Sequence, residues 1–260
     1  MNKPLFIKLF LLILVLLIWK LAYTNSCIVF IFSAFVVISF LAISFAENSL
    51  LYRKSVADVI FNESSWIFTW LQSKWFVLLK SIMQALFFGI VFLLGSLQWG
   101  IHISIIMGID VFILLGLFFW FSKYVAVHTK IDVRELFTRK LATTVNVVIL
   151  TPVLIIIMFY SVPPEYLNSS LSTTLSSAQQ EIPQIKCSLV SIFYSYDIAK
   201  ESFLWWSMMS ASLSLNNNMM LIIGWSLFLL FETMYVWIFS KLILSTTIHL
   251  NSIFNKRELE

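Results

Sequence analysis

Two carboxylates interrupt long apolar runs and are the side chains best placed to do chemistry: Asp110 in "MGIDVFILLG" and Glu232 in "LFLLFETMYVWIF". An ionisable group deep in a bilayer costs about 2.5–3.5 kcal/mol or more, so each raises a functional question by default. Neither has a Lys or Arg within two helical turns along the chain. Counted from the starts of their apolar runs at 1.5 Å per residue, Asp110 lies roughly 13 Å and Glu232 roughly 20 Å into the hydrocarbon. Both depths are near the midplane. Two chemistries fit: a proton or cation pathway using both acids, or polar contacts that hold helices together. For the second, Gln84, Asn146 and Thr151 are candidate partners, as is the backbone carbonyl freed by Pro152.

Catalytic signatures are missing. The chain has no phosphate-cradling glycine loop, no C-x-x-C and no H-E-x-x-H, and His102, His128 and His249 are too far apart for metal-ligand spacing. "MGID" matches the G-x-G-D of intramembrane aspartyl peptidases only in part, because Ile109 stands at the second glycine and the other acid is Glu. We therefore read no catalytic residue, no metal site and no cofactor from the sequence.

The elements that must position Asp110 and Glu232 follow from composition. Hydrophobic residues make up 60% of the chain and charged residues 12%, with a mean hydropathy of +0.93. That balance belongs to an all-α, polytopic integral membrane protein, and residues 1–260 read as a single membrane domain. Crossing about 30 Å of hydrocarbon takes roughly 20 residues. Six stretches qualify: Leu5–Tyr23, Cys27–Ala46, Phe76–Leu97, Ile101–Phe121, Leu141–Val162 and Met219–Ser240. The first has no small-residue cleavage site after it and reads as a retained helix.

Lys and Arg set the expected orientation. Lys3 and Lys8, then Arg53, Lys54 and Lys74, then Lys123, Lys130, Arg134, Arg139 and Lys140, and last Lys241, Lys256 and Arg257 all fall on one side of a six-span arrangement. Both termini are thereby expected in the cytoplasm, in a plasma or inner membrane. The same pattern accounts for the net charge of +4 without nucleic acid, since no compact basic face is visible.

Two connections are more than turns. Segment 47–75 carries Trp66, Trp70 and Trp75 among polar residues and suits an amphipathic helix in the inner interface. "IDVRELFTRK" has a capping-box-like Asp132 and Glu135, so the fifth helix should start near Val133 and run on as one rod. The outer loop, 163–218, divides in two. Its Ser/Thr-rich first half reads as irregular. Its aromatic second half reads as one or two helices resting on the outer surface, anchored by Trp205 and Trp206. Cys27 and Cys187 both fall on the outer side, where a disulfide between them is chemically permitted.

The leading expectation for function is a non-enzymatic membrane subunit that acts through other membrane subunits or self-association, in contact with the lipid bilayer. The alternatives are a small channel or proton/cation-coupled transporter using Asp110 and Glu232, and a membrane enzyme with an unrecognised site.

Overall fold

The computed structural model describes residues 3–60, 73–129, 131–160, 164–167, 170–213 and 218–248, which form helices and short connections. The helices are α1 (Lys3–Ala22), α2 (Cys27–Ile60), α3 (Lys74–Leu97), α4 (Ile101–His128), α5 (Ile131–Tyr160), α6 (Leu171–Gln180), α7 (Ser188–Leu213) and α8 (Asn218–Ser245). Six of them, α1 to α5 and α8, are long and apolar enough to cross a membrane. The protein is therefore a multi-pass, all-α chain.

Helix lengths depart from the sequence expectations in instructive ways. α2 runs unbroken for 34 residues, roughly 51 Å, and so outlasts a bilayer core of about 30 Å. The first part of the segment expected to lie in the interface is thus a continuation of a span, because nothing from Glu47 to Ile60 breaks a helix. Residues 61–72 of that segment lie outside the described residues. α5 is one rod from Ile131 to Tyr160, with Pro152 inside it, as the capping-box-like start implies. In the 163–218 connection, the stretch expected to be irregular contains α6. Ser170 caps it by accepting a hydrogen bond from the Thr173 amide, which offsets the poor helix propensity of its Ser and Thr residues.

The α1–α2 turn (23–26) and the α3–α4 turn (98–100) mark one end of the bundle, called here the turn end. Lys20 ties the two together: its ammonium donates to the Trp99 carbonyl and the Ser104 hydroxyl, both at 2.6 Å. α2 packs along α3, α4 along α5, and α5 along α8. Fully buried Leu12, Trp19, Val37, Leu41, Phe92, Ile238 and Leu242 form the shared core of α1, α2, α3 and α8. Lipid tails are as apolar as these side chains, so close packing and a few polar contacts must hold the helices together. The Trp19 indole donates to the Leu93 carbonyl at 2.9 Å, one such contact inside the core.

α8 has a register that matters for everything below. The Tyr235 ring lies against Gly95, two residues from the end of α3, where any Cβ would collide with it. Phe239 stacks on Phe92, so α8 runs antiparallel to α3. Seventeen residues of α8 precede Tyr235, and all but the last few therefore continue past the turn end, by roughly 20 Å. There they pair with α7 as a helical hairpin. Ser207 closes on Gly224, and Lys200 sits over the Phe231 ring, 5.3 Å from its centroid.

Candidate functional site

Asp110 occupies a three-helix junction. It projects from α4 and is 2% exposed, facing Asn146 of α5, which is 1% exposed. The Asn146 amide donates to Asp110 Oδ2 at 2.9 Å and to the Ser240 hydroxyl of α8 at 3.0 Å. Ser240 in turn donates to the Val236 carbonyl of its own helix. One side-chain amide thus ties α4, α5 and α8 together within the apolar interior. Of the other partners named from the sequence, Gln84 is half-buried on α3 and Pro152 is exposed on α5. Thr151 is buried, and its hydroxyl has no hydrogen-bond partner among the described residues. The structure brings together Asp110 and Asn146 and leaves the other three elsewhere.

Glu232 is not at the same level. Ser240, not Glu232, sits beside Asp110, and eight residues of helix separate the two, roughly 12 Å. Glu232 lies inside the apolar stretch Ile222–Ser245, in the part of α8 that extends beyond the turn end. Its surroundings are the polar face of α7. Lys200 donates to Asp197 Oδ1 at 2.6 Å and to the Tyr235 hydroxyl at 2.7 Å, and its ammonium is 3.8 Å from Glu201. Glu232 faces Glu201 and Lys200 electrostatically. Burial disfavours the Lys200 charge, but Tyr235, Asp197 and Glu201 outweigh it and hold the ammonium above the ordinary lysine range. Burial pushes the Glu201 carboxyl up, with Lys200 opposing.

A second ionic group lies toward the opposite end of the bundle, where the sequence reading saw only orientation charges. Arg139 of α5 pairs with Glu47 of α2, both buried, and also reaches Glu135 one turn away at 3.5 Å. Lys241 of α8 is 7% exposed and interacts electrostatically with Glu47. Its ammonium lies 5.9 Å from the Trp237 ring centroid. A signal existed: Glu47 ends one apolar run and Arg139 opens another on the same side, so the two charges share a depth.

Cys27, at the start of α2, and Cys187, just before α7, are joined in a disulfide with a Cα–Cα distance of 4.9 Å. The Lys186 amide donates to the Thr24 carbonyl beside it at 3.0 Å. Together they fix the base of the hairpin to the α1–α2 turn. Among the described residues no group of His, Cys, Asp and Glu could hold a metal ion. Comparison of the chain with protein-family models, with curated proteins and with solved structures finds no match.

Proposed function

We propose that this chain is a non-enzymatic membrane subunit whose working surface is the α7–α8 hairpin, which contacts another membrane subunit or a second copy of the chain. The observation that carries this reading is apolar surface exposed on the hairpin beyond the turn end, past the level where the neighbouring apolar helices stop. Lipid-facing residues of α1, α2 and α4 end near Leu21, Ile28 and Ile101 at the turn end. Past that level, the hairpin still exposes Met209, Met219, Ile222, Ile223, Leu229 and Leu230. A contiguous apolar patch outside the hydrocarbon marks an interaction surface. The ionic cluster inside the hairpin supports the same reading, since it holds two helices at a fixed spacing without help from lipid.

The proposed topology puts both termini in the cytoplasm and the hairpin outside. Two independent features support it: the basic connections lie opposite the turn end, and the disulfide lies at the turn end, on the side where oxidising conditions would preserve it. Mass measurement of the chain extracted in mild detergent tests the function. A stoichiometric complex or homo-oligomer is expected, and Ile222→Glu with Leu229→Glu should dissolve it while leaving the disulfide intact. A lone monomer that retains full activity in its native membrane would overturn the reading.

A further inference from the structure

Opposite the hairpin, a cleft of about 200 Å³ opens among α1, α2 and α8, lined by Lys8, Ser39, Phe40, Ile43, Ser245 and Ile248. We infer that this cleft binds an anionic phospholipid, with an acyl-chain segment against Phe40 and Ile43 and the headgroup phosphate at the Lys8 ammonium. The inference goes beyond the partner reading and does not depend on it.

The polarity of the cleft decides the ligand class. Ser39 already donates to the Phe35 carbonyl at 2.7 Å, and Ser245 donates to the Leu242 carbonyl at 2.5 Å. Both hydroxyl protons are therefore committed to their own helices. Lys8 is the exception: it donates to the Ile248 carbonyl at 3.0 Å, which uses one of three ammonium protons. The site is an apolar slot with a single cation at its mouth. One lysine is too little to hold free phosphate in water, and a bare alkyl chain would not need it. A ligand that carries both a chain and an anion satisfies both halves. Basic sites between transmembrane helices on the cytoplasmic side bind acidic headgroups in this way. The volume is below the roughly 300–1,000 Å³ of small-molecule sites, so it suits a segment of chain with the headgroup left outside.

Ile248 lies three residues past the end of α8, and Lys8 is the donor that its carbonyl receives. An arriving phosphate would share the ammonium with the carbonyl and join α1 to the end of α8 through the lipid.

The test uses the full chain reconstituted in phosphatidylcholine vesicles with or without phosphatidylglycerol, then extracted and weighed by native mass spectrometry. Phosphatidylglycerol should be retained in preference to phosphatidylcholine. Lys8→Gln should reduce that preference about fivefold, the worth of one lysine at an anionic surface. Lys8→Arg should keep it, and Ile43→Trp, which fills the slot with Lys8 in place, should lose the bound lipid. A thermal unfolding scan of each variant in detergent separates lost binding from lost folding. Equal retention of the two lipids would overturn the site, as would a preference unchanged in Lys8→Gln. Displacement of phosphatidylglycerol by inorganic phosphate alone would assign the cleft to free phosphate and likewise overturn the lipid.

Discussion

The bundle and the hairpin both bury charged and polar groups, but they do so under different rules. In the bundle the strongest polar contacts are close one-to-one pairings: Arg139 faces Glu47, and Asn146 bridges Asp110 and Ser240. Those residues are nearly sealed from solvent. In the hairpin three acids surround one lysine, so Lys200 serves Asp197, Glu201 and Glu232 together. Its side chain keeps 21% exposure and that of Glu201 keeps 20%. Charge imbalance of that kind is tolerable only where water can help. The difference accords with the proposed place of the hairpin outside the hydrocarbon.

The comparison breaks most visibly at the closed pairs. Arg139→Ala leaves Glu47 buried beside Lys241 without its guanidinium, and breaking one partner of a buried pair costs about 3–5 kcal/mol. Thermal unfolding in detergent should show a large drop, whereas Lys200→Ala in the hairpin should show a smaller one. Equal losses would erase the distinction. Next in size is the joint between the two regions. Cys27→Ser removes a link that spans 160 residues of sequence, worth about 2–4 kcal/mol. Reductant should lower the unfolding temperature of the native chain and leave that of Cys27→Ser where it is. The same pair of proteins should differ in gel mobility only before reduction.

What could be read from the sequence divides along the same line. Six apolar runs and the α5 rod were legible because span length and a capping pattern are local properties. Asp110 was read as lying deep in an apolar run, with its packing left open, and Asn146 was among its possible partners. The surroundings of Glu232 were not legible. An apolar run reports what a helix can cross, not where it starts crossing, and α8 enters the bundle only near Tyr235. Arg139 and Lys241 were read as orientation charges because their partners are 92 and 194 residues away from them in Glu47, separations that no periodicity reveals. α6 was missed because Ser and Thr are weak helix formers, and the cap at Ser170 outweighs that only over one short helix.

Asp110 offers the third and smaller test. Interhelical hydrogen bonds in membranes average about 0.6 kcal/mol and reach about 1.7 kcal/mol. Asp110→Ala should cost about that much, and Asp110→Asn less, because the amide can still meet Asn146. If Asp110→Asn left stability untouched but abolished pH-dependent ion flux in reconstituted vesicles, the junction would be a conduction site rather than a helix contact. Unchanged flux with the small stability loss of Asp110→Ala would fix its role as a contact.

The smallest effect concerns pH in the hairpin. The groups facing Glu201 include Lys200 and Asp197 on its own helix, Glu232 and Tyr235 on α8, and Tyr166 from the connection between α5 and α6. Burial raises its carboxyl above the ordinary glutamate value of 4.5. An acid whose folded pKa is raised gives up its proton more readily when unfolded, so its contribution to stability declines as pH climbs from 4.5 through the raised value. Lys200 does not reverse that slope. Its pKa is also raised, so its own contribution is fully present below the ordinary lysine value of 10.5 and is lost only at more alkaline pH. Hydrogen exchange of the α7 and α8 amides should therefore show protection that weakens from mildly acidic to neutral pH, by less than about 1 kcal/mol for partly solvated charges. Glu201→Gln should flatten the dependence in the hairpin and leave the amides of α2 and α3 unaffected. A slope of opposite sign, or one shared equally by the bundle, would mean that the two regions do not hold their charges by different rules.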